Sequence, residues 1–124
     1  MAASPEQIHD VLEQYVARVA TGTTDEILEL YAEGATVEDP VGTEVRTTRE
    51  SIREFYSGLE ELEQAGEVLS ARIAGGQAAF LFELRTKAGE QTYTLAPIDV
   101  MTFDDDGLIT SMKAYWSDVD LSVS

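Results

Sequence analysis

The sequence contains no cysteine, a single histidine and few basic residues. Without cysteine, disulfides and thiolate catalysis are excluded, and a cytoplasmic location is the expectation. Lys and Arg together number 8 against 24 Asp and Glu, which gives a formal net charge of −16. Because nucleic acids and anionic membranes attract basic surfaces, neither is an expected partner. The chain also lacks an apolar run of roughly 18 residues, the length of a membrane span, and a basic-then-apolar leader typical of secretion.

Sequence motifs for metal ions and cofactors are missing as well. His9, the only histidine, precedes Asp10 on the polar side of a predicted helix, so a histidine triad or zinc site is not expected. Residues 104–106 are three consecutive aspartates, but they lack the alternating spacing and distal Glu of a calcium loop. No glycine-rich phosphate loop is present. We therefore expect neither a metal nor a cofactor.

A chain of 124 residues with 44% hydrophobic residues is expected to fold as one globular domain, residues 1–124. Three helix starts are visible: Ser4 before Pro5 and Gln7, Thr23 before Glu26, and Thr48 before Arg49. Apolar residues then recur at helical spacing. The three predicted apolar faces are Ile8, Val11, Leu12, Tyr15 and Val19; then Ile27, Leu30 and Tyr31; then Ile52, Phe55, Tyr56 and Leu59.

From residue 67 onward the pattern is that of strands separated by turns. The expected strands are residues 67–73, 77–86, 91–103 and 108–116, after a short strand at residues 35–39. In the last strand, alternation places Met112, Ala114 and Trp116 on one face and Ile109 on the other. Three helices followed by a strand meander predict an α+β fold with the helices on one face of a bent, mostly antiparallel sheet.

The strands at residues 77–86 and 98–103 are apolar on both faces. In a two-layer domain the face without helices is normally exposed to water and polar. A second copy of the chain packed on that face is the commonest way to cover it. We therefore expect a homodimer that associates through the sheet.

Two acidic residues stand in apolar surroundings, Asp39 after Ala35-Thr36-Val37 and Asp99 within residues 96–103. A buried carboxylate has to be neutral, paired or hydrogen-bonded, because burying its charge alone costs several kcal/mol or more. Asp99 should therefore have a raised pKa, whereas Asp39, at a strand end, keeps solvent or hydrogen bonds and stays ionised. Asp39 precedes Pro40 and is also compatible with a simple turn.

Three tyrosines, Tyr15, Tyr31 and Tyr56, each lie on the apolar side of a predicted helix. Taken singly, each is typical of an amphipathic core residue whose hydroxyl reaches water or a carbonyl group. If the three hydroxyls converge, they have to hydrogen-bond to one another. A chain of such bonds makes its terminal hydroxyl a better donor.

Three segments resemble the bacterial Δ5-3-ketosteroid isomerases (steroid delta-isomerases). They are YAEGATVEDPVG at residues 31–42, IDVMTFDDDG at residues 98–107 and MKAYWSDVDLSV at residues 112–123. The order and spacing of Tyr15, Tyr31, Asp39, Tyr56 and Asp99 agree with that family nearly from end to end. The resemblance implies a cone-shaped fold of the nuclear transport factor 2-like (cystatin-like) type, a homodimer and no cofactor.

The resemblance also implies roles for individual residues. Ketosteroid isomerases are a known example of a general-base Asp that works with an oxyanion hole made of a Tyr and a protonated Asp. By that resemblance, Asp39 moves a proton from C4 to C6 of a 3-oxo-Δ5-steroid, and Tyr15 and Asp99 donate to the C3 oxygen. Tyr31 and Tyr56 extend the hydrogen-bond chain behind Tyr15. The expected lining of the steroid cleft is Trp116 and, more loosely, Phe55, Phe82, Leu84, Val100 and Met112.

One position departs from the family pattern, and one alternative function stays open. Pro97 lies two residues before Asp99, where it removes a ladder donor and predicts a bulge or an edge in the strand. The alternative is a member of the same fold with another activity, such as a polyketide cyclase or a non-catalytic module that binds a small hydrophobic ligand. A base together with two oxyanion donors favours the isomerase, because a binding module needs no ionisable pair.

Overall fold

The structure, a computed structural model, describes residues 2–124. Three α-helices lie in its first half: α1 (Pro5–Thr21), α2 (Thr24–Leu28) and α3 (Arg49–Ser57). Seven strands follow the chain order β1 (Tyr31–Glu38), β2 (Glu63–Ala74), β3 (Gln77–Ala88), β4 (Gln91–Leu95), β5 (Ile98–Phe103), β6 (Ile109–Tyr115) and β7 (Leu121–Val123). None of the described helices is both long and apolar enough to cross a membrane.

All seven strands form one sheet in the order β1-β6-β5-β3-β4-β7, with β2 on the other edge of β3. Strand β1 runs parallel to β6, and the remaining pairs are antiparallel. Strand β3 is the hub, because its first half pairs with β5, its second half with β4, and nearly its whole length with β2. The expected helices on a curved, mostly antiparallel sheet are confirmed.

Helix α1 covers the inner face of the sheet and packs mainly on β2. Its predicted apolar stripe is buried apart from Val11, which is half-buried. Ser4 caps the helix by accepting from the Gln7 backbone N–H, but the capping box is incomplete because the Gln7 side chain donates to the carbonyl of Asp106. The box from Thr23 to Glu26 forms as predicted.

The placement of Tyr31 on a helix is wrong, since α2 ends at Leu28 and Tyr31 begins β1. The physical reason is the parallel ladder with β6: Tyr31 pairs with Ile109, whose N–H donates to the carbonyl of Leu30. A five-residue helix has too few internal hydrogen bonds to be stable by itself, so the hydrogen bonds of the ladder determine the conformation of Tyr31. Leu59 similarly falls just beyond the end of α3.

The single strand expected at residues 91–103 is divided into β4 and β5 at Ala96-Pro97. Proline has no N–H for the ladder, and its carbonyl accepts from the Phe82 N–H instead. The register on the two sides is continuous, with Leu84 opposite Leu95 and Leu81 opposite Ile98. The break therefore contains no inserted residue and is not a bulge.

Strand β6 does contain a bulge, which corrects the predicted facing of Ile109. The register shifts between Thr102 and Phe103, so that Thr110 is the extra residue on β6. The Thr102 hydroxyl bonds to the hydroxyls of both Thr110 and Ser111. As a result Ile109 is buried in the core together with Met112, and not on the opposite face.

The outer face of the sheet carries apolar side chains with no helix above them. Leu81, Ile98 and Tyr115 lie side by side across β3, β5 and β6. Ile98 and Tyr115 are 46% and 47% exposed. The predicted association through this face stays a prediction.

Candidate active site

Three buried tyrosine hydroxyls form a chain in the core. Tyr15 comes from α1, Tyr31 from the start of β1 and Tyr56 from α3, and none is more than 3% exposed. The Tyr56 hydroxyl lies 2.7 Å from that of Tyr15 and 2.6 Å from that of Tyr31. The three tyrosines therefore converge, with Tyr56 in the middle.

Burial raises the pKa of Tyr15 well above its usual value, and negative charge at Tyr31 or Asp99 would raise it further. Burial also raises the pKa of Tyr31 and of Tyr56, so all three phenols are neutral at physiological pH. Three hydroxyl protons serve only two hydrogen bonds in the chain. When Tyr31 donates to Tyr56 and Tyr56 donates to Tyr15, the Tyr15 proton is left for an external acceptor.

Asp99 projects from β5 toward the same core and is 2% exposed. Its neighbours in the sheet are Phe80 on β3 and Ala114 on β6. Within residues 2–124, its buried Oδ2 atom has no hydrogen-bond partner. Burial raises the pKa of Asp99 well above its usual value, and the negative charge of Asp39 adds to the effect. Burial therefore favours the neutral form of Asp99, the direction expected from its apolar strand.

Asp39 follows the end of β1 and is only partly buried. The indole N–H of Trp116 donates to its Oδ1 atom at 2.8 Å. Burial raises the pKa of Asp39, while this hydrogen bond lowers it. Asp39 thus has the partial exposure and the hydrogen bond expected of it, although burial has a larger effect on its pKa than the one donor. A raised pKa also makes the carboxylate a stronger base.

Tyr15, Tyr56 and Asp39 line an apolar cleft of about 180 Å³, whereas Tyr31 and Asp99 are buried in the core and are not among its lining residues. Asp39 and Phe55 also line an adjoining, more polar cavity of about 610 Å³, which contains Arg46 and the start of α3. The two cavities thus meet at the carboxylate of Asp39. The lining of the cleft is Tyr15, Val19, Asp39, Phe55, Tyr56, Leu59, Phe82, Leu84, Leu95, Pro97 and Trp116.

Four of the six residues expected to line the cleft do so: Trp116, Phe55, Phe82 and Leu84. Val100 is a correction, because Asp99 and Met101 point inward and alternation turns Val100 to a cavity on the outer face. Met112 is a second correction, since it is 1% exposed and packed in the core away from the cleft.

Four lining residues escaped the sequence reasoning, namely Val19, Leu59, Leu95 and Pro97. Val19 lies one helical turn after Tyr15 on the predicted stripe, so its position was a usable signal. Leu59, three residues after Tyr56 on the predicted face of the third helix, carried the same kind of signal. Nothing local marked Leu95 or Pro97 as lining residues. Nor did any local pattern indicate the hydrogen bond from Trp116 to Asp39, which joins residues 77 positions apart.

The described residues form no recognisable metal-binding site. Within the described part of the chain, no group of three or more His, Cys, Asp or Glu side chains is arranged to hold a metal ion. His9 is exposed, as expected. The cleft offers hydrogen-bond donors, one carboxylate and apolar walls.

Comparison with known proteins places this geometry in a family context. The family model described as "SnoaL-like domain" matches residues 12–112. The chain is 44% identical over 118 residues to a steroid Delta-isomerase of Nocardioides simplex, covering 95% of this chain and 96% of that protein. It is 30% identical to the epoxide hydrolase LasB of Streptomyces lasalocidi, covering 98% of this chain and 51% of that protein.

A solved structure confirms the fold expected from the sequence. SalBIII, described as an epoxide hydrolase/cyclase-like enzyme with a role in pyran ring formation in polyether salinomycin, superposes with a TM-score of 0.87 at 26% identity. The match covers 96% of this chain and 97% of that one. The three helices and the curved mixed sheet are thus those of the nuclear transport factor 2-like fold.

Proposed function

Because this chain belongs to the SnoaL-like family and, within it, to the ketosteroid isomerases, and is an isomerase, we propose that it converts 3-oxo-Δ5-steroids to 3-oxo-Δ4-steroids. The observation that supports this most directly is the presence of two carboxyl groups in different environments, Asp39 in the lining of the apolar cleft and Asp99 buried in the core near Tyr15. Asp99 is fully buried and lacks a donor, whereas Asp39 is partly buried and accepts from Trp116.

In the proposed reaction, Asp39 removes a proton from C4, next to the ketone. Electron density moves onto the C3 oxygen, and a dienolate forms. The Asp39 carboxylic acid then returns the proton to C6, so the base is regenerated and the double bond has moved into conjugation. One carboxylate serves both transfers when C4 and C6 present the same face.

The dienolate oxygen needs hydrogen-bond donors. Tyr15 supplies the terminal proton of the tyrosine chain, and Asp99 supplies its own acid proton. Removing one oxyanion donor typically costs about 2.7–4 kcal/mol of transition-state stabilisation. An ionised Asp99 would repel the developing charge, so its raised pKa is what the role requires.

The apolar walls suit a hydrophobic ring system. Val19, Leu59, Leu84 and Leu95 line the cleft beyond the polar groups and carry no charge. A neutral polycyclic ketone buries apolar area against such residues at about 25 cal/mol per Å². The strongly acidic surface gives no attraction to anionic ligands, which agrees with an uncharged substrate.

Purified protein should convert 5-androstene-3,17-dione to the conjugated enone, followed by its ultraviolet absorbance. Absence of turnover at micromolar enzyme would contradict the proposal. The relatives named as epoxide hydrolases support a second candidate, an epoxide-opening or cyclase reaction, in which the same acid pair protonates and activates. Turnover of a polyether epoxide substrate with no isomerisation of the steroid would favour that candidate.

We further propose that the protein is a cytoplasmic homodimer, associated through the outer sheet face that holds Leu81, Ile98 and Tyr115. Sedimentation at low micromolar concentration should then give twice the 13.6 kDa chain mass. The substitution Ile98→Lys places a charge in the interface and should produce monomers. A monomer for the parent protein would contradict the packing argument.

A further inference from the structure

The cleft has a direction that three elements define independently. Along α1, the apolar Val19 follows Tyr15 by one turn; after α3, Leu59 follows Tyr56; and along β3, Leu84 follows Phe82. Each element therefore runs from the hydroxyl and acid end of the cleft toward an apolar end. The position of α1 agrees, because Gln7 near its start contacts Asp106, whereas Val16 near its end lies over Gly66, a neighbour of Leu84.

Distances along this axis can be measured on strand β3, because its residues are evenly spaced. Phe80 pairs with Asp99 and marks the acid end, and Leu84 pairs with Leu95 and marks the apolar end. The next residue of β3 on the inner face is Thr86. At about 3.3 Å per residue, Thr86 lies roughly 20 Å from Phe80 along the strand. That span suits a four-ring skeleton with a hydrogen bond at each end.

A buried amide side chain lies beyond the apolar end of this axis. Gln64 on β2 pairs with Thr86, and its uncharged side chain lies on the inner face of the sheet. It is 9% exposed. Its Nε2 atom donates to the Thr86 hydroxyl at 2.9 Å. Its Oε1 atom is buried and has no hydrogen-bond partner among residues 2–124. Besides Asp99, Gln64 is the only described residue with such an orphaned side-chain atom.

An unpaired buried acceptor lowers stability, since its hydration is lost without replacement. Leucine or methionine would fill the same volume without that loss. Neither Asp99 nor Gln64 is among the residues that line the 180 Å³ cleft, but along β3 they flank it, because Asp99 pairs with Phe80 and Gln64 pairs with Thr86. The orphaned atom of Asp99 already has a role in the proposed reaction. A ligand that reaches both orphaned atoms would satisfy both.

We propose that Gln64 selects substrates by accepting a hydrogen bond from a hydroxyl group on the ring remote from the reacting ketone. This inference rests on the proposed steroid isomerisation. Thr86 fixes the orientation of the amide by taking its N–H group, so the free oxygen is left for a donor. A site that hydrogen-bonds a substrate hydroxyl disfavours the analogue that lacks it, because the acceptor then stays unpaired.

The test uses three unreactive Δ4-3-ketosteroids that carry a hydroxyl, a ketone or no oxygen at carbon 17, with dissociation constants measured by calorimetry. The parent protein should bind the hydroxyl compound roughly three- to tenfold more tightly than the oxygen-free one, as expected for a neutral hydrogen bond. Gln64→Leu should abolish this ratio and raise the melting temperature. Gln77→Leu, an exposed position on the adjacent strand β3, is the matched control and should leave the ratio unchanged.

A second variant keeps Gln64 and tests its orientation. Thr86→Val removes the acceptor that holds Nε2, so the amide can turn its N–H group toward the ligand. The preference for hydroxyl over ketone should then fall, while affinity for the oxygen-free steroid stays within about twofold.

The outcomes separate this inference from the proposed function. Turnover of Δ5-ketosteroids with no effect of the carbon-17 group, or with the same ratio in Gln64→Leu, would overturn the role of Gln64 and leave the isomerase intact. A ratio that depends on Gln64 in a protein without isomerase activity would support the binding role and overturn the reaction. If none of the three steroids binds, both proposals are wrong.

Discussion

Asp39 and Asp99 are two carboxyl groups in contrasting surroundings, one in the lining of the cleft and one buried in the core. Asp99 lies in the middle of a strand between Phe80 and Ala114, and its Oδ2 atom has no hydrogen-bond partner among residues 2–124. Asp39 lies beyond a strand end, borders a polar cavity and accepts from Trp116. Burial raises the pKa of both groups, but only Asp39 has a donor that opposes the rise. The contrast teaches how access to water and one hydrogen bond can give two carboxyl groups the different roles proposed for them, a base and an acid.

The largest expected effect comes from removing the base. Asp39→Asn keeps the size of the side chain but cannot accept and return a proton. We expect kcat to fall at least roughly a thousandfold, within the range for general bases, while steroid binding stays close to that of the parent. Glu38→Gln removes a charge from the neighbouring residue and keeps an acceptor for the Gly42 N–H, so it should retain activity. Comparable kcat in Asp39→Asn and parent would exclude Asp39 as the base.

The next effect separates donation from charge at Asp99. Asp99→Leu removes the donor, and kcat should fall about 100- to 1,000-fold, as for other lost oxyanion donors. Asp99→Asn keeps an N–H donor at the same place and should lose less than about tenfold. Steady-state kinetics with one substrate measures both variants. Equal losses for Asn and Leu would mean that Asp99 is not a neutral donor.

A smaller effect tests the hydrogen bond that distinguishes Asp39. Trp116→Phe keeps an aromatic wall but removes the N–H that stabilises the Asp39 carboxylate. The pKa of Asp39 should rise further, so the acidic limb of the kcat/KM profile should move to higher pH. Above that limb, kcat should change less than about tenfold. Tyr115→Phe, on the outer face, should leave the limb in place; an unmoved limb in Trp116→Phe contradicts the assignment.

The mildest effect concerns stability and pH. Because the folded-state pKa of Asp99 is raised, the unfolded chain releases this proton first, near its ordinary pKa of about 3.9. The free energy of unfolding therefore falls as pH rises from there through the folded-state pKa, and then levels off. Asp99→Asn should lose this fall, as measured by urea unfolding between about pH 4 and 8. Asp39→Asn should also reduce the fall of the unfolding free energy with pH, by a smaller amount. If the curve of Asp99→Asn runs parallel to that of the parent, Asp99 is not a buried neutral acid.

Sequence reasoning was strongest where a single element carries the signal. The stripe of α1, the cap at Thr23 and the apolar strand around Asp99 are local patterns, and the structure agrees with each. It was weakest where strand pairing decides, as at Tyr31, which the parallel ladder to Ile109 draws into β1. The prediction that Val100 lines the cleft was wrong for a simpler reason, because the alternation that points Asp99 inward also points Val100 outward.

By itself the sequence determined which side chains are buried on each element and that one acid lies in an apolar strand, because periodicity and composition act over a few residues. Only the tertiary structure decided that Trp116 donates to Asp39, that Tyr56 joins the other two tyrosines, and that Gln64 pairs with Thr86 beyond the apolar end of the cleft. These contacts join residues 22 to 77 positions apart. Their geometry depends on strand register, which no local pattern specifies.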